Sequence, residues 1–440
     1  MLIDVPKQRP DDGSGGRPGG QVSSWWVLAG AGILTQLLTT VNGVLAARMV
    51  GVEGRGQVVM VATLGAMASQ LTLGGSLPNA VTKLLAERGV VARDGLRGLV
   101  RGWAPWGLLA AAIAGGYMLF LEWDVPGATK YGLAVAALVT GVQVMASRIL
   151  MGAMLGEGTS HLHIAMTGLL PQAAVVLVVG TAMATGIRWN PVELLTVTIV
   201  CTGLVLLARL RILARPTGKP EDRLDRREVA RFARHTHIGS VGPIDGLALD
   251  RMLVGSVLGN VQLGLYSVAF ALGGLTSIFG LALGMVSLPR VTVLQSEPRA
   301  EVHFVRRLLL FSVALFVVVV LAMQAVLVPV IRITFGADFL DATECARWMV
   351  VASAFLGLRR VMIAVLQGRG HGGFASIVEL TLTPVMVGGI FLAAALDSLV
   401  AVGITMLAVG IVSCLVLGFR VARSAPVDAP TQVPAPDPTI

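Results

Sequence analysis

Residues 308–331 read LLLFSVALFVVVVLAMQAVLVPVI, a stretch without a single charged side chain. A helix that crosses the hydrocarbon core of a membrane needs about 20 predominantly apolar residues. The apolar residues here are continuous rather than alternating, which favours a helix over a strand of a β-barrel. The stretch therefore predicts a membrane-spanning helix.

Similar apolar windows recur along the whole chain and predict about twelve membrane-spanning helices. They cover residues 24–47, 57–77, 99–121, 131–152, 164–185, 191–213, 238–258, 264–288, 308–331, 345–366, 375–396 and 398–419. Twelve spans of about 20 residues would use most of the apolar residues of the chain. The sequence therefore predicts an all-α integral membrane protein with little left over for a separate globular domain.

The overall composition agrees with this prediction. The chain has 440 residues, of which 55% are apolar and 13% are charged, and its mean hydropathy is +0.79. Soluble domains carry about 25% charged residues. The composition therefore excludes a soluble enzyme, a disordered chain and a fibrous protein.

The basic residues are distributed unevenly along the chain, although the net charge of +9 does not reveal this. With the N-terminus placed in the cytoplasm, 27 of the 34 Lys and Arg residues fall in cytoplasmic segments or at the cytoplasmic ends of spans. Six fall in outer segments, and Arg251 lies inside a span. Because basic residues hold loops on the cytoplasmic side, both termini are predicted to be cytoplasmic. An even number of spans follows.

The polar segments divide the chain into predicted units. Residues 1–23 and 424–440 are rich in Pro, Gly, Asp and Gln and predict disordered cytoplasmic tails. Residues 24–214 and 238–423 predict two six-helix lobes, which the basic cytoplasmic linker 215–237 joins. The linker is expected to lie on anionic lipid. Phe232 is its only Phe, Tyr or Trp residue, and so few rings on which bases could stack argue against a nucleic-acid partner.

The two predicted lobes resemble each other in sequence. A constant offset of 212 aligns Arg148 with Arg360, Gly156 with Gly368 and Gly158 with Gly370. Near the start of each half, Arg48-Met49 matches Arg251-Met252, and Gly51 and Gly56 match Gly259 and Gly264 after a five-residue insertion. Repeats six spans apart have the same orientation. This predicts a pseudo-two-fold axis along the membrane normal and a substrate site between the lobes, as in alternating-access transporters.

Several short motifs resemble one family. The stretch Leu45–Gly56 (LAARMVGVEGRG) is similar to the first loop of polysaccharide (O-antigen type) flippases of the multidrug/oligosaccharidyl-lipid/polysaccharide exporter superfamily. Three features of the second half resemble the same family: Phe335-Gly336-Ala337-Asp338-Phe339, the Arg359–Gly370 region, and Tyr266-Ser267-Val268-Ala269 after Asp250-Arg251. The resemblance covers roughly residues 24–423.

The resemblance implies two six-helix lobes in a V shape. It also implies a transporter of the bacterial cell membrane that moves a polyprenyl-pyrophosphate-linked oligosaccharide from the cytoplasmic to the outer leaflet. Its expected partners are this substrate, membrane lipid, and a polysaccharide polymerase or glycosyltransferases. Two alternatives stay open: a drug or cation antiporter of the same superfamily, and a non-transporting scaffold of a polysaccharide synthesis complex.

Charged residues inside spans are costly and are therefore candidate functional residues. Asp245, Asp250 and Arg251 lie in the seventh window and Glu379 in the eleventh. Arg251 could supply a cationic contact for pyrophosphate, because a guanidinium group matches phosphate bidentately. Asp250 could face the cavity or fix helix packing. Asp245 and Glu379 are candidates for coupling or for helix pairing, and Arg359 or Arg360 is the expected partner of Glu379.

The remaining candidate substrate contacts are Arg48, Arg148, Arg360 and Asn42. Arg48 could instead be an interfacial anchor. Arg148 and Arg360 could instead belong to the basic residues that hold loops on the cytoplasmic side. A polar residue such as Asn42 often forms hydrogen bonds between membrane helices.

Sequence patterns for catalysis and cofactor binding are missing. The chain contains no GxxxxGK[ST] phosphate-binding loop and no HExxH or GxSxG motif. The two His-x-His pairs, His161/His163 and His235/His237, are weak metal signals. We therefore expect no enzymatic activity, no metal and no cofactor.

Overall fold

The computed structural model describes residues 19–74, 76–88, 92–156, 161–213, 229–231, 233, 242 and 246–424. These residues form helices and connecting turns, without a strand among them. Because lipid offers no hydrogen bonds to the backbone, apolar segments of this length satisfy their own N–H and C=O groups by forming helices.

The helices follow one another with short connections. The first half contains α1 (Gly19–Ser69), a π-helical turn (Gln70–Gly74), α2 (Leu77–Arg88), α3 (Ala92–Phe120), α4 (Gly127–Gly156), α5 (His161–Ala184) and α6 (Pro191–Leu213). The second half contains α7 (Leu249–Val257), α8 (Gly259–Leu294), α9 (Pro298–Thr334), a 3₁₀ helix (Ala337–Ala342), α10 (Thr343–Gly368), α11 (Gly373–Ala395) and α12 (Leu399–Arg423).

Ten helices in the described part of the chain are long and apolar enough to cross a membrane. The all-α membrane fold predicted from the sequence is therefore confirmed. The twelve predicted windows correspond to these ten helices for two reasons. The first window and most of the second lie in α1, and only residues 249–257 of the seventh form a described helix. Most of the predicted tails, most of the predicted linker and Asp245 lie outside the described residues, although residues 19–23 of the first predicted tail already belong to α1.

Two expectations about the helix boundaries were wrong. The first predicted outer loop is helical on both sides of Gly51, which alone has non-helical dihedral angles (φ 70°, ψ −172°). The loop expected before the eighth window is absent, because α8 already begins at Gly259, whose φ is +93°. L-residues with a side chain rarely adopt such positive φ values. At each of these two positions, a single glycine therefore reverses the direction of the chain where a longer loop was expected.

The seventh span differs from its prediction as a continuous helix from residue 238. Helix α7 begins only at Leu249, after Ala248 in the left-handed conformation (φ 52°). Before it, the N–H groups of Gly246 and Leu247 both donate to the carbonyl oxygen of Gly242, at 2.8 and 2.9 Å. The polar and glycine-rich composition of this segment permits a turn where a pure apolar run would have stayed helical.

Each half packs as a lobe. In the first lobe α1 packs against α3, α4 and α5, while α4 also contacts α2 and α6. In the second lobe α10 lies at the centre, surrounded by α8, α9 and α12. Between the lobes, α1 packs against α7 and α8. Some of the candidate residues described below lie at or near this contact.

An ion pair joins three helices at the predicted cytoplasmic end of the second lobe. Arg369, just after α10, contacts Glu301 in the first turn of α9, with 2.7 Å between Nε and Oε1. The side chains are only 6% and 1% exposed. Arg369 also donates to the carbonyl oxygen of Val421 (2.5 Å) and to Oγ of Ser424 (3.0 Å) at the end of α12. Arg369, one of the basic residues on the predicted cytoplasmic side, is thus a structural contact.

Candidate functional site at the contact between the lobes

The two lobes cross at a pair of glycines that are equivalent in the repeat. A β-carbon added at Gly56 would collide with the carbonyl oxygen of Asn260, and one added at Gly264 would collide with that of Val52. Val52 and Asn260 each directly follow a hinge glycine, so they are equivalent as well. The contact is therefore reciprocal. It places the pseudo-two-fold axis between the second half of α1 and α8, at the predicted outer end of the lobes.

Polar side chains surround this crossing. Asn260 donates to Oε1 of Glu53 at 2.9 Å, and Gln57 donates to the same oxygen at 3.3 Å. Arg48 donates to the last carbonyl groups of α9, through Nε to Thr334 (2.6 Å) and through Nη2 to Ile333. Those carbonyl groups lack partners within their own helix and carry partial negative charge. The structure therefore places Arg48 as a cap of α9 that links the lobes.

Two contacts from α3 and the residues just after it also join the lobes near the outer crossing. The indole N–H of Trp123, just after α3, donates to the carbonyl oxygen of Gly255 at 3.0 Å. The hydroxyl group of Tyr117 lies 2.8 Å from that of Ser256. The lobes are therefore joined at their predicted outer ends by α1 and α3 on one side and by α7, α8 and α9 on the other.

Two arginines, one from each lobe, meet beneath this crossing. Arg251 of α7 lies over the ring of Phe270, with 4.4 Å from Cζ to the ring centroid. Arg55 of α1 donates through Nε to Oγ of Ser267 at 3.2 Å, and its guanidinium group lies against Gly43. Arg55 and Arg251 are close enough to interact electrostatically. Helix α8 therefore positions both cations, because Ser267 and Phe270 lie three residues apart on one face.

Asp250 is the acidic group beside this pair. It is 1% exposed, and its Oδ2 accepts a hydrogen bond from the hydroxyl group of Tyr266 at 2.8 Å. Its position in the first turn of α7 places its charge where the helix dipole stabilises an anion. Its other oxygen, Oδ1, is buried and has no hydrogen-bond partner. Asp250 is thus held by α7 and α8, while the neighbouring Arg251 contacts Phe270.

Glu379 and Asn42 lie in helix contacts within their own lobes. Glu379 of α11 forms a buried ion pair with Arg359 of α10, with 3.0 Å between Oε2 and Nη2, and Arg359 is one of the two partners expected for it. Its carboxylate also lies against Gly242, in the turn before α7. Asn42 of α1 donates to Oε1 of Gln172 in α5 at 2.6 Å.

Arg148 and Arg360 lie farther toward the predicted cytoplasmic end. Both side chains are partly exposed, and Nη1 of Arg360 lies 3.5 Å from Oγ of Ser277 on α8. The structure therefore separates the candidates into three groups. Arg251 and Asp250 lie together with Arg55, and we call these three residues the central cluster. Arg48 lies at the outer crossing, and the other candidates lie elsewhere.

Sequence reasoning missed Arg55 as a candidate. It had been counted among the basic residues of an outer loop, whereas the structure places it on a helix that turns back into the protein at Gly51. Its position between Gly51 and Gly56, the two glycines repeated in the second half, was the available signal. Among the described residues, no group of three His, Cys, Asp or Glu side chains could hold a metal ion.

Comparison with known families confirms the resemblance. Residues 132–344 match a family described as "Polysaccharide biosynthesis protein". The matched region extends from α4 to the start of α10 and includes the linker and α7 to α9. None of the curated proteins compared with the chain matches it in sequence.

Solved structures of the superfamily share the fold. A lipid II flippase, MurJ, in an inward closed conformation superposes with a TM-score of 0.68 at 13% identity, over 90% of this chain and 87% of that one. An inward-facing multidrug resistance transporter of the MATE family of the MOP superfamily gives a TM-score of 0.64 at 13% identity, over 90% and 96% of the two chains. The protein thus has the fold of this transporter superfamily and is a multi-pass membrane protein.

Proposed function

We propose that this protein, with the fold of the MOP transporters, is a flippase for a lipid-linked oligosaccharide. It moves a polyprenyl-pyrophosphate-linked precursor of a cell-surface polysaccharide from the cytoplasmic to the outer leaflet of a bacterial cell membrane. The lobes alternate between access from the two sides, and both termini lie in the cytoplasm. The protein acts as a carrier and has no catalytic residue.

The central cluster of two arginines is the observation that supports this substrate class. Arg55 and Arg251 come from different lobes and lie beneath the outer crossing, while the adjacent carboxylate of Asp250 accepts a hydrogen bond from Tyr266. Guanidinium groups bind phosphate bidentately and keep their charge when partly buried. A negatively charged pyrophosphate between the lobes would therefore be favoured.

The same cluster argues against a cationic substrate. The superposition with MATE transporters is almost as close as that with MurJ, so the fold alone does not choose between a lipid-linked sugar and a drug. A drug cation needs carboxylates or aromatic faces. Here the ring of Phe270 already carries Arg251, and the cluster has two positive charges for one negative.

The partners follow from the substrate. A precursor delivered to the outer leaflet must be made by glycosyltransferases on the cytoplasmic side and used by a polymerase on the other side, and both are candidate partners. Membrane lipid surrounds the apolar helices and contacts the basic linker. We propose no nucleic-acid partner.

Transport by the purified protein tests the proposal. In proteoliposomes, a fluorescent polyprenyl-pyrophosphate oligosaccharide should cross the bilayer faster with the protein than without it. Arg251→Ala should slow this flipping about tenfold or more, because a lost hydrogen bond to a charged group costs about 1.5–3 kcal/mol. Arg251→Lys should retain part of the activity, since it keeps the charge but loses the planar fork.

Arg347→Ala is the matched control for this experiment. Arg347 forms an exposed ion pair with Glu344 (3.1 Å) and is not part of the central cluster, so its loss should leave transport unchanged. Expulsion of cationic dyes without movement of any lipid-linked sugar would favour the antiporter instead. Absence of all transport, with the cluster insensitive to substitution, would favour the scaffold.

A further inference from the structure

Helix α9 is longer than a membrane crossing requires. It has 37 residues, whereas the hydrocarbon core needs about 20. Its uncharged stretch, residues 308–331, is long enough for the crossing. Residues 298–307 precede that stretch at the predicted cytoplasmic end, and at 1.5 Å per residue they lengthen the helix by about 15 Å. We call them the α9 extension. The extension passes through the lipid headgroup layer, which is about 5–7 Å thick.

One face of α9 packs against the second lobe and fixes the orientation of the extension. Glu301 and Val305 are buried in the extension, and Ser312 and Phe316 continue the same face within the membrane. Glu301 is held by its ion pair with Arg369, which in turn contacts the end of α12. The helix therefore cannot turn about its own axis without breaking a buried pair, and its opposite face is held toward the outside of the lobe.

The opposite face of α9 changes from apolar to cationic where the extension begins. Its apolar part includes three side chains that are 62%, 53% and 64% exposed: Leu310, Val317 and Leu321. Steps of three and four residues place three exposed polar side chains on the same face of the extension, namely Arg299, His303 and Arg306. Arg307 is exposed beside them. One continuous stripe therefore leads from the level of the acyl chains to that of the headgroups.

The positive charge of this stripe is not neutralised by the protein. The only acidic residue of α9 is Glu301, which faces the other way and is paired with Arg369. Among the described residues, the arginines at positions 299, 306 and 307 form no ion pair. Guanidinium groups at the depth of the lipid phosphates can bind a phosphate bidentately. The stripe thus offers free cations to an anionic headgroup.

We propose that this stripe of α9 is a binding site for an anionic phospholipid. An acyl chain lies along the apolar part, beginning at Leu310, and the phosphate contacts Arg306, one helical turn closer to the cytoplasm. His303 and Arg299 reach the polar end of the headgroup, and Arg307 adds a further positive charge. The site is separate from the contact between the lobes and does not depend on which substrate the protein carries.

The continuity of the stripe favours a lipid over an acidic cytoplasmic protein. The cationic side chains lie on the same side of α9 as Leu310, Val317 and Leu321, so they point along the membrane surface rather than away from it. A cytoplasmic protein would meet only the polar end of this face. An anionic phospholipid has both the acyl chain and the phosphate that the two parts of the stripe fit.

Native mass spectrometry of the full chain measures this binding. Protein stripped of lipid in detergent is titrated with phosphatidylglycerol or with phosphatidylcholine, which has no net charge. We expect phosphatidylglycerol to bind about tenfold or more tightly than phosphatidylcholine. Arg306→Gln should weaken phosphatidylglycerol binding about fivefold, which is the usual contribution of one basic residue near an anionic surface. Replacing Arg299, Arg306 and Arg307 together should abolish the preference.

Arg423→Gln is the matched control for Arg306→Gln. Arg423 is also an exposed arginine at the predicted cytoplasmic end of a helix, but its guanidinium group lies over Phe419 of the same helix at 4.2 Å. Both variants lose one exposed charge from the same side, so their stability without lipid should stay close to that of the parent. Diffuse attraction predicts equal losses of lipid binding, whereas a site on α9 predicts a loss for Arg306→Gln alone.

A fluorophore on the stripe reports where the lipid binds. After Cys201, Cys345 and Cys414 are replaced by alanine, a cysteine at Leu310 or at Val328 carries the label. Val328 lies on the same face toward the other end of α9 and is 42% exposed. Phosphatidylglycerol with a spin-labelled acyl chain should quench the label at 310 more than spin-labelled phosphatidylcholine does, and the label at 328 should show no such preference.

Three results would overturn the proposal. The first is equal binding of phosphatidylglycerol and phosphatidylcholine by the parent protein. The second is an equal effect of Arg306→Gln and Arg423→Gln, which would show that the attraction is diffuse. The third is unchanged lipid binding in Arg306→Gln, which would leave the cationic face to a partner such as an acidic protein.

Discussion

Gly56→Ala is expected to prevent the lobes from closing at their outer ends and thereby to slow transport about 5- to 150-fold. The added β-carbon would collide with the carbonyl oxygen of Asn260, a backbone atom that cannot rotate away. Such overpacking costs about 1–3 kcal/mol, which corresponds to that range of population shift. Because the contact is reciprocal, Gly264→Ala should have an effect of similar size. Flipping in proteoliposomes would report the effect, and so would the rate of cross-linking between cysteines placed at Glu53 and Asn260, one on each lobe.

Gly274→Ala on the same helix as Gly264 is the matched control. A β-carbon at Gly274 would meet no atom within 4 Å. Alanine also favours the helix by about 1 kcal/mol over glycine, so this variant should fold and transport normally. Unimpaired cross-linking of Gly56→Ala and Gly264→Ala would show that the glycine crossing does not control closure.

Arg369→Ala is expected to lower the free energy of unfolding by about 3–5 kcal/mol, because it leaves the buried carboxylate of Glu301 without its ionic partner. The same change also removes the hydrogen bonds to Val421 and Ser424. A denaturant or thermal unfolding series in detergent would measure the loss. Since the contact joins three helices of one lobe, the lobe should open locally before the rest of the protein unfolds.

Two comparison variants make this result specific. Removing both charges at once, as Glu301→Leu with Arg369→Met, should recover much of the lost stability, because no unpaired charge then remains buried. Arg347→Ala breaks an exposed ion pair, with side chains 48% and 60% exposed, and should change stability by about 0–1 kcal/mol. If Arg369→Ala is no worse than Arg347→Ala, the buried pair contributes little.

The apolar windows predicted the membrane helices because hydrophobic length alone determines whether a segment can span lipid. The same reasoning failed at Gly51 and Gly259. Windows of apolar residues locate the centre of a span, whereas a reversal of direction depends on one residue that can adopt a positive φ. The polar residues Glu53 and Arg55 suggested a loop. However, the end of a helix inside a protein can carry such residues when their side chains contact the other lobe.

The sequence repeat predicted how the two lobes are arranged relative to each other. It also contained Gly56 and Gly264, the two glycines at the crossing. It could not show which charges would meet. Arg48 and Arg251 are equivalent in the repeat, yet one caps α9 and the other lies over Phe270. The arginine that accompanies Arg251 is Arg55, whose side chain reaches α8 only because the helix folds back at Gly51. Side-chain proximity of this kind depends on tertiary packing that a single sequence does not contain.

The reciprocal glycine crossing has the form of an isologous dimer interface enclosed in one polypeptide. In such an interface, position i of one subunit contacts position j of the other, and j contacts i. Gly56 with Asn260 and Val52 with Gly264 fulfil this condition. Two copies of a single half could therefore close the same contact without a covalent link. Gene duplication and fusion would then preserve the crossing while each copy acquired its own arginines, leaving a symmetric contact beside an asymmetric cluster of charges.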